Sequence, residues 1–468
     1  MLRQLRIRHF KCWEDTGTVN LAPITLLFGA NSSGKSSIGQ FLMMLKQTIE
    51  SPDRRAVFYP GGRNSAVQLG SYRDMVFRHD PKRRIQFEYV WDLEDPMRIR
   101  DQVSEKTYKG NSLSFAAEAG LKQEEGHEVA VHMFEYRLLE KERQLLRIGM
   151  ARRAESKSEY SVEANGYSLV RQRGRAWSPR APVRFYGFPE EVVAYHQNAD
   201  FVQDFNLQHE RLFRSVHYLG PLRTRAERLY SWTGIEPESV GYAGENTVAA
   251  LLAAKSRRIS LGYRRPSALF QEVIASKLKQ MRLIDEFEVR AISERREEYE
   301  VKVRTRGSSS LVDLPDVGFG VAQVLPVLVQ SFYLPHNSII IMEQPEIHLH
   351  PSAQSDLADV IIDAVNSREE GRDRSIQLII ETHSEDFLRR LLRRIAEDRI
   401  KREQVSAYFA NVSGDVLSLE PLRIDIFGHV LNWPDGFFGD EFGDITAQAR
   451  AALSRRSAAQ TEAKGDVR

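Results

Sequence analysis

Three continuous apolar runs mark the chain, and each ends in polar residues. Ile24-Thr25-Leu26-Leu27-Phe28 leads into a glycine-rich octapeptide, Ser338-Ile339-Ile340-Ile341-Met342 into Glu343-Gln344, and Ile376-Gln377-Leu378-Ile379-Ile380 into Glu381-Thr382-His383-Ser384. A strand buried on both faces between parallel neighbours reads as a continuous run rather than an alternation. Ile38, Phe41, Leu42, Leu45 and Ile49 recur at three- and four-residue steps, as do Ala353, Leu357, Ile361 and Ala364. Each set predicts a helix with one buried face. From about 85 to 215 the period shortens to two, as in Arg84-Ile85-Gln86-Phe87-Glu88-Tyr89-Val90 and again from Val129 to Tyr136. Charged, turn-rich segments separate these runs, which predicts an antiparallel β-rich insertion.

Met1–Arg8 also alternates and reads as a first strand, whereas 216–285 reads as helical. A strand pair around Phe287–Val289 and Tyr299–Arg304 then leads into a second half. The organisation expected is α/β. Residues 1–84 open a head that 301–420 completes; 85–215 form the β-rich insertion, 216–300 a helical linking region, and 421–468 a small C-terminal region with a fraying tail from about Arg450. There is no internal repeat and no sustained heptad pattern.

The 468 residues suffice for two or three domains with buried cores. Charged residues make up 28% but nearly cancel to +2, so any nucleic-acid surface must be a local patch. A single cysteine, Cys12, excludes an internal disulfide framework and suits a reducing compartment. The apolar runs are too short to cross a bilayer, and the N-terminus lacks the apolar core of a signal peptide. A soluble cytoplasmic protein is expected.

The octapeptide Gly29-Ala30-Asn31-Ser32-Ser33-Gly34-Lys35-Ser36 fits G-x-x-x-x-G-K-[ST] at every fixed position, between a strand and a helix. Its backbone N–H groups and the positive end of the helix can surround a phosphate. Gly29, Asn31, Ser32, Ser33, Gly34, Lys35, Ser36 and Ser37 form the expected nucleotide-binding set, with Lys35 on the β- and γ-phosphates and the Ser36 hydroxyl on Mg²⁺. Glu343, at the carboxyl end of a buried strand, is placed to hold Mg²⁺ directly or through water. His383 ends the next strand within reach of a γ-phosphate. Gly318-Phe319-Gly320, just before a helix, makes a second anion-binding turn. One γ-phosphate needs only one such cradle in cis, so this turn is expected to serve a nucleotide held by another protomer.

In order and spacing these motifs resemble the ABC-type ATPase heads of the SMC and RecF kind, a P-loop fold with a mixed or parallel sheet flanked by helices. The likeness is strongest to the ATPase modules of OLD-family nucleases and of bacterial antiphage systems such as Gabija, Septu and PARIS. It spans roughly 1–80 and 215–430. The resemblance implies ATP and Mg²⁺ as ligands and a homo-oligomer closed around ATP. It makes Gly318-x-Gly320 the signature loop, His383 the switch histidine and His350-Pro351 the D-loop. It also makes Gln68 a Q-loop contact to metal or water. Two positions depart from the pattern: Gln344 replaces the catalytic glutamate that follows the Walker B acid, and Ala322 replaces a signature-loop serine. An amide can orient the attacking water but cannot take its proton. ATP binding with slow hydrolysis is expected, with Glu346 or His348 as alternative bases.

Other clusters leave two readings open. His348 and His350 with Glu343 and Glu346 read as a transition-metal cluster or as a structural turn. Arg389, Arg390, Arg393 and Arg394 form one face of a helix, either gripping nucleic-acid phosphates or paired with carboxylates. Asp435, Asp440, Glu441 and Asp444 lie in an aromatic ending, read as a docked loop rather than a nuclease site. Fewer than eighty residues follow the His383 strand–helix unit, too few for an appended nuclease domain, so a separate effector chain is expected. The expected function is an ATP-dependent sensor or scaffold controlling a nuclease or toxin, as in phage defence. A RecF-like ATPase acting directly on DNA is the alternative.

Overall fold

The computed structural model describes residues 1–434 apart from 102, 124–125, 154–159, 175–178, 294–296 and 415, together with 448 and 450–452. A large antiparallel sheet starts at Leu2–Phe10, flanked by Trp13–Asp15 and Val19–Asn20. It continues through Ile85–Arg100, Thr107–Leu121, Val129–Glu140, Arg143–Arg152 and Tyr160–Asn165. The period of two has its cause here: Ile85, Phe87, Tyr89 and Trp91 are buried, and the residues between them are not. On the buried face lie α1 (Lys35–Glu50) and α2 (Phe201–Arg214). Phe41 of α1 meets Phe10 and Phe87 edge-on, and His209 of α2 is fully buried among the rings of Tyr89, Phe115 and Tyr136.

Two expectations change. The sheet is no separate insertion, because Leu5 pairs with Tyr89 and the N-terminal strand is part of it. The β-rich stretch also ends early, since Phe201–Arg214 is a helix burying Phe201, Val202, Phe205, His209, Leu212 and Phe213. Those positions follow a helical step, which a reading of the whole segment as alternating passes over.

The second sheet has six strands: β1 (Ile24–Gly29), β2 (Val216–Leu219), β3 (Ile339–Glu343), β4 (Gln377–Glu381), β5 (Val405–Ser413) and β6 (Val416–Pro421). Their spatial order is β2-β3-β4-β1-β5-β6, parallel except for β6. The four-residue β2, expected within a helical region, is too short to show a period. Alternate residues of the sheet enter two cores. Leu27, Ile339, Ile341 and Ile379 pack toward α1 and the antiparallel sheet. Leu26, Phe28, Ile340, Met342 and Ile380 pack toward α3 (Phe319–Tyr333), α4 (Pro351–Val365) and α5 (Glu385–Ala396). Burial on both faces is why β3 and β4 read as unbroken apolar runs. The expected strand pair is present at Glu286–Ala291 and Glu298–Arg304. Among the described residues no helix is long and apolar enough to cross a membrane.

Candidate functional site

The register of the parallel strands builds the site. Glu343 pairs with Glu381 across β3 and β4, and Glu381 with Leu27 of β1, just before the glycine loop. Gly29 has φ 142, and a Cβ there would lie 2.5 Å from the Ala410 carbonyl oxygen of β5. Gly34 opens α1 at φ 82, where a Cβ would lie 2.5 Å from Cys12 Sγ. Both positions require glycine. The Cys12–Trp13 turn braces the loop from below, with Trp13 Nε1 donating to the Gly34 carbonyl at 3.0 Å. Asn31 and Ser32 stand exposed at the loop tip. The Lys35 ammonium curls over the loop, donating to Gly29 O at 3.0 Å, Ala30 O at 2.6 Å and Ser33 Oγ at 3.3 Å. Burial lowers its pKa, and the Glu381 charge opposes that shift. Ser37, expected with the loop, is buried with its hydroxyl 3.7 Å from Cys12 Sγ.

Three buried carboxyl groups stand at or just past the carboxyl ends of β3 and β4. Glu343 Oε1 accepts the Tyr218 hydroxyl at 2.9 Å; burial and then the Glu381 charge push its pKa up to about 7. Burial also raises Glu381, while the Ser36 hydroxyl and Lys35 pull it down. Glu346 Oε1 accepts the His383 backbone N–H at 2.9 Å, and burial raises that carboxyl too. Among the described residues, Oε2 of Glu381 and Oε2 of Glu346 are buried without a hydrogen-bond partner. Buried, unpartnered carboxylate oxygens beside a lysine and a serine suit a hard divalent cation. Ser36, Glu343 and Glu381 therefore fit Mg²⁺, and the loop with Lys35 fits a polyphosphate. The exposed His383 ring is held below its usual pKa by partial desolvation and by Lys35.

Arg223 ties the site to the helix behind it. Its guanidinium donates to Gln323 O of α3 at 3.2 Å and to the Glu343 and Gln344 carbonyls at 3.3 Å each. Burial pulls its pKa down to about 10. Gln344 itself adopts φ 46, its N–H donating to Glu381 O at 2.8 Å. Its side-chain amide has no hydrogen-bond partner among the described residues.

Other expected residues sit elsewhere. Gly318 is exposed with nothing within 4 Å of a Cβ position, and Phe319 is 65% exposed. A Cβ on Gly320 would lie 3.1 Å from His348 O, so the glycine turn abuts the exposed His348 turn. His350 caps α4, its Nδ1 accepting the Ser352 N–H at 3.3 Å. Among the described residues no three His, Cys, Asp or Glu side chains are placed to share a metal, which removes the metal reading of His348 and His350. Gln68 is not brought to the site. It is exposed and donates to Arg63 O at 3.1 Å, while its neighbour Val67 is clamped to Gln47. Gln47 lies twelve residues past Lys35, about 18 Å along α1.

The α5 arginines are paired rather than free. Arg389 meets Glu385, Arg390 meets Asp359 at 2.8 Å, Arg393 meets Glu397 at 2.7 Å and Arg394 meets Asp359 at 2.6 Å. The basic stripe is mostly spent on the α4–α5 contact and on the helix itself. Asp435, Asp440, Glu441 and Asp444, and the tail apart from 450–452, lie outside the described residues. Four contributors went unrecognised in the sequence: Glu381, Tyr218, Arg223 and the Cys12–Trp13 turn. Glu381 had a signal, since it ends its apolar run just as Glu343 does.

A family model described as "AAA domain, putative AbiEii toxin, Type IV TA system" matches residues 24–390. A second, described as "Protein of unknown function (DUF3696)", matches residues 400–448. No curated protein matches the sequence. Among solved structures, the chain is similar to an SMC head bound to the C-terminal winged-helix domain of ScpA, at 13% identity and TM-score 0.42, covering 91% of this chain and 98% of that one. The SMC head domain from Thermotoga maritima gives 12% and 0.39, covering 90% and 99%. An SMC head from Pyrococcus furiosus, bound to the C-terminal domain of ScpA, gives 10% and 0.42, covering 90% and 96%. The first family match takes in the glycine loop, the Glu343–Glu381 pair, Arg223 and His383, and the chain belongs to this family of AAA-domain ATPases.

Proposed function

We propose that the protein binds ATP with Mg²⁺, pairs with a second copy in that state, and hydrolyses slowly enough for the closed pair to act as a signal to a separate effector such as a nuclease or toxin. One observation carries this reading. The loop, Lys35, Ser36, Glu343 and Glu381 lie at the same end of the sheet and fit a polyphosphate with a cation, while the Gly318–Gly320 turn stands exposed with Phe319 bare beside it. A second copy would bring that turn to the nucleotide, so the free energy of ATP binding becomes free energy of association.

Within one protomer Lys35 and the loop N–H groups would hold the phosphates, and Ser36, Glu343 and Glu381 the cation. Mg²⁺, when bound, neutralises charge on the β- and γ-phosphate oxygens. Tyr218 fixes the Glu343 carboxyl, and Glu346 fixes the backbone at His383. Glu346 thereby serves as a positioning group for His383. Gln344, its amide unengaged, can orient a water but accepts no proton, which accounts for slow turnover. The family description names a toxin–antitoxin system, which favours control of an effector, and the setting proposed for that control is antiphage defence. Direct action on DNA loses the α5 arginines as its grip, since all four are paired.

The test is steady-state ATP turnover. The wild type should fall below the roughly 1 s⁻¹ of ordinary enzymes, and Gln344→Glu should raise the rate about 100-fold, the effect of a placed base. A fast wild type that Gln344→Glu does not accelerate and Glu346→Gln leaves unchanged rules the slow-switch reading out.

A further inference from the structure

Unpaired arginines gather at the other end of the core sheet. Arg258–Ser260, Ser267–Leu269, Arg368–Glu369 and Arg372–Asp373 form a small antiparallel sheet. The surface around it reaches Pro23 and Ile376, at the amino ends of β1 and β4. A five-residue strand, about 17 Å, separates this surface from the carboxyl ends that hold Glu343 and Glu381.

Residues 256–268 and 368–374 carry seven arginines against three carboxylates, more net positive charge than the whole chain's +2. Glu369 is taken by Arg257 at 2.7 Å and Asp373 by Arg368 at 3.1 Å. Arg258, Arg264, Arg265 and Arg372 are exposed and meet no carboxylate among the described residues; Glu370 is the one acid there without an ion pair. At the tip of the Leu261–Pro266 loop Tyr263 is 70% exposed, with the guanidinium carbons of Arg264 and Arg368 at 5.1 and 5.2 Å from its ring centroid. The loop is pinned from below, Ser260 Oγ donating to Gly262 O at 2.8 Å or to Arg265 O at 2.9 Å. The opposite hairpin turns at Glu370-Gly371, whose φ values of 50 and 79 match a tight two-residue turn. Charge and aromatic face therefore stand on ordered backbone.

We propose that this face binds single-stranded nucleic acid, with phosphates on Arg258, Arg264 and Arg265 and a base stacked at Tyr263. Guanidinium groups beside an exposed ring are the two elements single strands use: cations along the backbone and a planar face for an unstacked base. Arg264 has no other partner among the described residues, so it yields its place over the ring to a base. A duplex keeps its bases stacked and has no use for Tyr263. A lipid surface calls for exposed aliphatic residues, and Tyr263 is the large exposed apolar side chain of this patch.

Fluorescence anisotropy of the full chain with a labelled 15-nucleotide single strand, as DNA and as RNA, and with the matching duplex tests this. Three phosphate contacts give a slope of log affinity on log salt of about −2. The double variant Arg264→Glu/Arg265→Glu should bind the single strand at least about tenfold more weakly and flatten that slope, with its ATP-induced melting shift intact. Tyr263→Ala should weaken the single strand about tenfold and leave the duplex alone. Tighter binding of either the DNA or the RNA strand supports the proposal and names the sugar. Absence of wild-type binding at 0.1 M salt overturns it. Binding that survives the double variant, or is lost equally in Arg389→Glu/Arg393→Glu, overturns it as well.

Discussion

Replacing Arg223 by methionine separates a positioning role from a structural one. The guanidinium makes three long hydrogen bonds, at 3.2, 3.3 and 3.3 Å, to carbonyls of Gln323, Glu343 and Gln344. At the low end for a charged donor each is worth about 1.5 kcal/mol, so the set contributes about 4–5 kcal/mol. Burial opposes it: a pKa near 10 against the usual 12.5 corresponds to about 3 kcal/mol of resistance to the charge. The net contribution to stability is then about 1–2 kcal/mol, a melting shift of roughly 5 °C or less in a chain of this size. The connection lost is specific. Gln323 lies on the helix that follows the exposed glycine turn, and Glu343 belongs to the proposed cation site, so Arg223 ties one to the other. ATP-driven association, followed by sedimentation velocity, should weaken at least about tenfold, a loss of about 1.4 kcal/mol in association from a chain that stays folded. A melting loss of 15 °C, or association unchanged at equal stability, would refute the reasoning.

Three further outcomes follow from the same geometry. His209, hydrogen-bonded to the Tyr89 and Tyr136 hydroxyls at 2.8 and 2.9 Å, and His217, pulled down to about 3 by burial and then by Lys46, are neutral when folded. Unfolded imidazoles titrate near 6.5, so this stability is complete above that pH and is lost as pH falls toward the folded value. His217 alone removes about 2 kcal/mol by pH 5, and urea melts at pH 7 and pH 5 that coincide would contradict this. Gly34→Ala forces a Cβ within 2.5 Å of Cys12 Sγ at φ 82; the left-handed strain of about 1–2 kcal/mol leaves the fold intact while the ATP-induced melting shift disappears. Arg394→Ala breaks the largely buried pair with Asp359, which keeps Arg390, and should destabilise by about 1 kcal/mol in a denaturant melt, with oligonucleotide affinity unaltered.

What was legible in the sequence follows the length over which burial repeats. The doubly buried strands β3 and β4 and the stripe of α1 each extend far enough to show their period, and Glu343, Lys35 and Ser36 fall where those patterns put them. The four-residue β2 leaves no pattern, so Tyr218 could not be set beside Glu343. Pairing across 375 positions is equally silent: the N-terminal strand meets the start of β4 through Gln377, whose amide bonds both polar groups of Leu2. The α5 arginines show the reverse case. Their spacing displays a charged face, but the carboxylates that quench it include Asp356 and Asp359 on another helix. Unpaired charge at Arg264 and Arg265 becomes visible only once those pairings are known.

The central claim is that the nucleotide site is completed by a second copy. Light-scattering molar mass of the full chain with and without ATP and Mg²⁺ tests it most directly, beside Lys35→Ala under the same conditions. The account predicts that ATP and Mg²⁺ shift the wild type toward twice its nucleotide-free mass and that Lys35→Ala does not respond. A mass indifferent to ATP, or an equal shift in Lys35→Ala, would contradict it.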